Sequence, residues 1–86
     1  MIREEDAIRM FREVIPRVDP RLVLDQGDVH YVTEPYAGVE YGLRLGSSGA
    51  LLFMPEGDLT APDWQDRLRA RFEAAKRYLE GFPRRD

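Results

Sequence analysis

The sequence contains a single histidine, His30, and acid-base chemistry near neutral pH would depend on it. His30 lies in a run of alternating residues and Glu40 lies in the next such run, so a β-sheet would bring the two side chains to one face. A histidine and a carboxylate can form a dyad, but a hydrolase also needs a nucleophile, and a metal site needs further ligands. The neighbouring positions supply neither, and the chain has no cysteine. We therefore predict no catalytic residue, no metal ligand and no cofactor-binding residue, in a protein that is not an enzyme.

Two other motifs that resemble enzyme sites are incomplete. Acidic residues recur between positions 25 and 58, but the metal-dependent nuclease pattern also needs a nearby lysine, and the only lysine is Lys76. The segment "GSSG" at residues 46–49 is rich in glycine, as phosphate-binding loops are, but no Lys-Ser or Lys-Thr pair follows it. We interpret this segment as a hairpin turn between two strands.

Length and charge limit the class of protein. The 86 residues suffice for one small domain, which we predict at residues 1–83 with a frayed tail at residues 84–86. The net charge of -3 comes from 13 basic and 16 acidic residues interspersed along the chain, so no uniform field would attract nucleic acid or an anionic membrane. No apolar run is long enough to cross a membrane, and acids stand in the N-terminal segment where a signal peptide is apolar. We expect a cytoplasmic protein without disulfides.

Both ends of the chain carry the spacing of amphipathic helices. Apolar residues recur every three or four positions over residues 3–15, and this helix is expected to end at Pro16, which restricts the residue before it. A second helix is expected to begin at Thr60, whose hydroxyl would cap its N-terminus, and to end at Gly81. Each helix has one apolar stripe, so each needs a surface to pack against.

Between the helices the apolar period changes to two, and turn residues divide the segment into four runs. We predict turns at Gln26 and Gly27, at residues 35–37 and at residues 46–49. Because these connections are too short for parallel crossovers, the expected fold is α+β, an antiparallel four-stranded meander with the N-terminal and C-terminal helices packed on one face, in the order α-β-β-β-β-α. The residues predicted on the helix-covered face are Leu22, Leu24, Val29, Tyr31, Val39, Tyr41, Leu43, Leu45, Leu52 and Met54.

The opposite face of the sheet has no helix to cover it and is the predicted contact surface. The predicted register sets Leu43 opposite Leu52 and Phe53 opposite Gly42, and it gathers apolar side chains into a stripe among charges. An apolar centre with a charged rim is typical of protein interfaces. The alternative is ordinary protein surface, on which an aromatic ring over a strand glycine and two scattered aliphatic residues are common. The predicted contact residues are Val23, His30, Val32, Glu40, Arg44, Leu51 and Phe53.

These features favour a non-enzymatic protein-interaction module of the size of small bacterial accessory proteins, adaptors and inhibitors. The predicted partner is a second copy of the chain, bound through the uncovered sheet face or an edge strand, or another protein; no membrane partner is expected. Two alternatives rank behind it, a small nucleic-acid-binding domain that uses the sheet face and a small hydrolase around His30 and Glu40. The element order resembles double-stranded RNA-binding domains in outline, but those have three strands and a lysine cluster at the start of the last helix, where this chain has "TAPDWQD".

Overall fold

The computed structural model describes residues 1–81 of the chain. Helix α1 (Glu4–Val18) is followed by strands β1 (Leu22–Val32), β2 (Gly38–Leu45) and β3 (Ser48–Pro55), and then by the short helix α2 (Glu56–Thr60) and the long helix α3 (Trp64–Glu80). The strands form one antiparallel sheet in the order β1-β2-β3. The predicted end of the domain at residue 83 and the predicted tail at residues 84–86 lie outside the described residues.

The prediction of a four-stranded sheet is wrong, because the predicted first and second strands are one strand. Asp25 pairs with Gly42 and His30 pairs with Glu40, so β1 keeps its direction along β2 on both sides of residues 26–29. These residues form an irregular bulge in place of the predicted hairpin turn. Of the chain's glycines, all of which are described, only Gly46 has a positive φ angle, so the glycine at position 27 does not take the left-handed conformation of a tight hairpin.

The predicted registers of the second and third hairpins are shifted by two residues, and these shifts leave the predicted buried face intact. The predicted pairing of Leu24 with Val29 is absent, because both residues belong to β1. Leu43 pairs with Ala50 where Leu52 was predicted, and Tyr31 pairs with Val39. Since side chains alternate between the two faces, a shift of two residues returns every side chain to the same face. All of the residues predicted on the helix-covered face belong to the buried core or pack against it.

Both long helices pack on this one face of the sheet. The rings of Phe11 from α1 and Phe72 from α3 lie 5.4 Å apart edge to face, and both contact the ring of Tyr41 from β2, at 5.0 and 5.8 Å. Tilted and edge-to-face pairs of this kind add to the burial of the rings. The opposite face of the sheet, which we call the outer face, is left without a helix.

The helix ends differ from the sequence prediction in two places. Helix α1 continues through Pro16 to Val18, and the buried Asp19 caps it by donating its backbone N–H to the carbonyl oxygen of Ile15 at 3.1 Å. Thr60 does not cap α3, because it is the last residue of α2, and its hydroxyl donates to the carbonyl oxygen of Glu56 at 3.2 Å. Helix α3 begins four residues later, at Trp64.

Candidate interaction surface

The residues predicted as a contact surface lie on the outer face, at two separate ends. His30, Glu40 and Phe53 form one row across the three strands, next to the row that starts at Val32. At the other end of the sheet Val23 pairs with Arg44. The predicted continuous apolar stripe is therefore divided, since Val23 is separated from Val32 by the length of β1.

Phe53 covers a glycine, but not the one that was predicted. It pairs with Glu40, and its ring lies over Gly38. A Cβ atom at position 38 would be 2.5 Å from Cζ of Phe53 and would also collide with the backbone oxygen of Met54. The absence of a side chain at Gly38 therefore leaves space for the ring, next to Val32, which pairs with Gly38.

A groove of about 430 Å³ lies beside this ring, and we call it the outer-face groove. Two of its residues, Tyr36 and Leu51, are 72% and 69% exposed, which is high for large apolar side chains. Tyr36 was not predicted as a contact residue, because residues 35–37 were assigned only to a turn. The sequence did contain a signal for Tyr36, because an aromatic residue is unusual in a turn, where small and polar residues predominate. The groove is lined by Val32, Glu34, Pro35, Tyr36, Glu40, Leu51, Leu52 and Phe53.

The other end of the outer face is polar. Nε of Arg44 donates to both carboxylate oxygens of Asp25, at 2.9 and 3.2 Å. The side chain of Asp28, on the bulge of β1, lies over Gly42, where a Cβ atom would be 2.9 Å from its Oδ2. Val23 is 45% exposed beside these charges. At this end Arg44 is already engaged within the chain.

His30 lies opposite Glu40 but is oriented towards helix α1. Its side chain is 63% exposed, and Nδ1 is 3.8 Å from Oε2 of Glu4. The same carboxylate oxygen accepts the backbone N–H of Tyr31 at 3.0 Å. Within residues 1–81 no group of three or more histidine, cysteine or acidic side chains is arranged to hold a metal ion. In this geometry Glu4 of α1 is the carboxylate that the His30 imidazole approaches.

The free edge of β3 presents its backbone polar groups outwards. Leu45 and Ser48 flank the two-residue turn between β2 and β3, and such flanking residues form a hydrogen-bonded pair. Hydrogen-bonded and non-hydrogen-bonded pairs alternate along an antiparallel ladder, so the backbone N–H and C=O groups of Gly49, Leu51 and Phe53 point away from β2. No strand of the described chain lies beyond β3. We call this row of groups the β3 edge.

The edge of β1 is occupied differently. By the same alternation the N–H of Tyr31 points outwards, and this is the group that Glu4 accepts. The bulge at residues 26–29 interrupts the strand before it. A bulge and a covering side chain are two ways in which proteins prevent an edge strand from pairing with another chain. Of the two edges, the β3 edge is the one that is open to a further strand.

Comparisons with known proteins found no match to this chain. No protein-family model, no curated protein and no solved structure matches it. In residues 1–81 there is also no helix that is both long and apolar enough to span a membrane.

Proposed function

We propose that the protein is a non-enzymatic protein-interaction module that forms a homodimer by pairing the β3 edges of two copies. The observation that carries this proposal is the β3 edge, where a strand without a charged residue presents backbone groups that have no strand partner in the described chain. Addition of a strand at an exposed edge is a common mode of recognition, in which main-chain hydrogen bonds provide affinity. The predicted cytoplasmic location is part of the proposal.

A second copy fits this edge because β3 is compatible with twofold symmetry. Residues that lie opposite each other in a joined antiparallel sheet must point to the same face. This condition is met when the twofold axis sets Leu51 opposite Leu51 of the second copy, or Leu52 opposite Leu52. In both arrangements the apolar side chains of β3 lie opposite apolar or small residues. Since β3 carries no charge, the pairing brings no like charges together. Leu51 also lines the outer-face groove, so the two grooves would lie near each other in the dimer.

Nucleic-acid binding is the second candidate, because the sheet has three strands, as in double-stranded RNA-binding domains. The charges at the start of α3 oppose it. Arg67 already donates to Asp63 at 2.8 Å and to Asp58 at 3.2 Å, and Asp66 stands in the first turn of the helix. A phosphate backbone at this site would meet carboxylates, and nucleic-acid affinity depends on unpaired cations. Protein interaction therefore ranks first.

Sedimentation velocity of the full chain tests the proposed dimer with two variants at one position. Leu51→Pro removes an outward N–H of the β3 edge without removing a hydrogen bond to β2, and proline is tolerated on edge strands. Leu51→Ser removes the apolar side chain but keeps the N–H. We expect wild type and Leu51→Ser to be dimers at tens of micromolar and Leu51→Pro to be a monomer with unchanged circular dichroism.

Each other pattern of masses overturns the β3-edge dimer. A wild-type monomer at this concentration excludes a strong homodimer. If both variants are monomers, the Leu51 side chain is required and the two copies pack face to face through the outer face. If both variants are dimers, the interface lies elsewhere on the molecule.

A further inference from the structure

A second cavity, of about 260 Å³, lies between α3 and the inner side of the β2–β3 hairpin. We call it the Tyr41 cavity. Its wall is mostly apolar and includes small residues of α3, which leave room beside the strand. A cavity of about 150 Å³ can already hold a benzene molecule, so this one has room for a single ring with a substituent. The residues that line it are Tyr41, Leu52, Phe53, Arg71, Ala74, Ala75 and Tyr78.

Tyr41 lines this cavity, and its hydroxyl is an unused hydrogen-bonding group. Only 2% of the residue's surface is exposed, and within residues 1–81 its hydroxyl has no hydrogen-bond partner. Every fully buried side-chain nitrogen or oxygen in that part of the chain has a partner, so the unpaired hydroxyl of Tyr41 is not fully buried. Burial raises the pKa of Tyr41 to about 12, although Arg71 opposes the shift. The hydroxyl therefore keeps its proton near neutral pH and is available as a donor.

Arg71 supplies the positive charge in the same wall. Its Nε donates to Asp58, a carboxylate of α2 that is largely buried and also accepts from Arg67. These bonds hold the guanidinium in place, while its terminal nitrogens make no hydrogen bond to the described residues. A guanidinium with free N–H groups beside a tyrosine hydroxyl forms a pair of donors that suits one carboxylate.

We propose that the Tyr41 cavity binds a small organic monocarboxylate, with its carboxylate accepting from Tyr41 and Arg71 and its apolar body against Leu52 and the alanines of α3. One arginine and one neutral donor match a single negative charge better than the two charges of a phosphate monoester. The apolar remainder of the wall favours a ring or a short aliphatic chain over a sugar. The site is built from one chain, so it does not depend on the proposed dimer.

Titration of the full chain with benzoate, followed by the alanine methyl signals in proton–carbon correlation spectra, tests this site. The ring of a bound benzoate would shift the methyl signals of Ala74 and Ala75. We expect benzoate to bind in the millimolar range or tighter. Benzamide, which has the same shape without the charge, should bind at least about tenfold more weakly. Equal affinities for the two probes, or no shift of these methyl signals, would overturn the proposal.

Variants of the two donors separate recognition from folding. Tyr41→Phe removes only a hydroxyl without a protein partner, so the variant should be at least as stable as wild type while its affinity for benzoate falls about tenfold. Arg71→Gln should weaken binding similarly, and Arg69→Gln, which changes an exposed arginine of α3 outside the cavity wall, should not. Unchanged affinity in Tyr41→Phe would show that benzoate binds without the proposed contact and is an adventitious additive only.

Discussion

The two edges of the sheet differ in almost every property that controls strand pairing. The edge of β1 is interrupted by a bulge at residues 26–29, carries Asp25 and Asp28, and has the outward N–H of Tyr31 covered by Glu4. The edge of β3 is continuous over eight residues, has no charged side chain and lies beside two cavities. Proteins that remain monomeric usually protect both edges. The proposed dimer rests on this contrast, in which one edge is protected and the other is not.

The β3 and β1 sides of the central strand β2 also differ in how tightly they pack on its glycines. This difference provides the prediction with the largest expected effect. An alanine Cβ at Gly38 would collide with the ring of Phe53 and with backbone of β3, which cannot move without separating the strands. An alanine Cβ at Gly42 would be 2.9 Å from Oδ2 of Asp28, the end of a side chain that can turn aside. It would also be 3.1 and 3.3 Å from the Cβ atoms of Asp28 and Asp25, which would need to shift by only a few tenths of an ångström. We expect Gly38→Ala to lower the free energy of unfolding by about 3 kcal/mol or more, and Gly42→Ala by about 1 kcal/mol or less.

Urea denaturation followed by circular dichroism measures both changes, and each variant serves as the control for the other. The midpoint should fall clearly for Gly38→Ala with a constant slope. Equal losses in the two variants would mean that the β1 side of the sheet is as rigid as the β3 side, and the comparison of the edges would lose its basis in packing.

The next prediction concerns the outward N–H groups of the two edges, which amide hydrogen exchange distinguishes. If β3 pairs with a second copy, the amides of Leu51 and Phe53 should become several-fold less protected when the protein is diluted below the concentration at which it dimerises. The amide of Tyr31 should not respond to dilution, because its acceptor belongs to the same chain. The amide of Leu52 is an internal control, since it points towards β2.

Two outcomes contradict this prediction. If Leu51 and Phe53 exchange at the unprotected rate even in concentrated solution, no strand covers the β3 edge. If dilution changes Leu52 as much as Leu51, the measurement reports unfolding of the sheet instead of dissociation of an edge.

The division of the chain into a buried and an uncovered sheet face was predictable from the sequence, but the strand count was not. Alternation fixes the face of each side chain even when the register is wrong, as the pairing of Leu43 with Ala50 in place of Leu52 illustrates. A glycine among polar residues, as at position 27, is compatible with a turn or with a bulge. Pairing with β2 decides between them, and that contact is distant in sequence.

The lining of the outer-face groove was predictable only in part, for a related reason. Leu51, Phe53 and Val32 were identified because they alternate with buried residues along their strands. Tyr36 was missed because its position beside them depends on how the loop between β1 and β2 lies against the sheet. The Tyr41 cavity was missed because its size depends on where α3 crosses the hairpin. Hydrophobic periodicity and secondary-structure propensity describe a single helix or strand, and neither specifies the space between two such elements.

The smallest expected effect is a pH dependence of the contacts that Glu56, the first residue of α2, makes with Tyr31 of β1 and with the N-terminus. Glu56 accepts from the hydroxyl of Tyr31 and from the N–H of Ile2, both at 3.1 Å, and pairs with the N-terminal amino group at 3.3 Å. Burial alone would raise the pKa of Glu56, but these bonds outweigh it and hold the pKa below its usual value. A lowered pKa means that the stabilisation is complete above the usual glutamate pKa and is lost as the pH falls through the pKa of the folded state.

We therefore expect acidification below pH about 4 to perturb the ring signals of Tyr31 and the N-terminal amides before those of β3, whose side chains do not titrate. Glu56→Gln keeps the shape of the side chain and removes its charge, so the pH dependence of the Tyr31 signals should be much smaller in this variant. Because other carboxylates titrate in the same range, the difference between wild type and variant is the quantity to measure. If β3 signals change at the same pH and to the same extent as those of Tyr31 in wild type, the acid-dependent contacts hold the whole sheet, and the two edges are not stabilised separately.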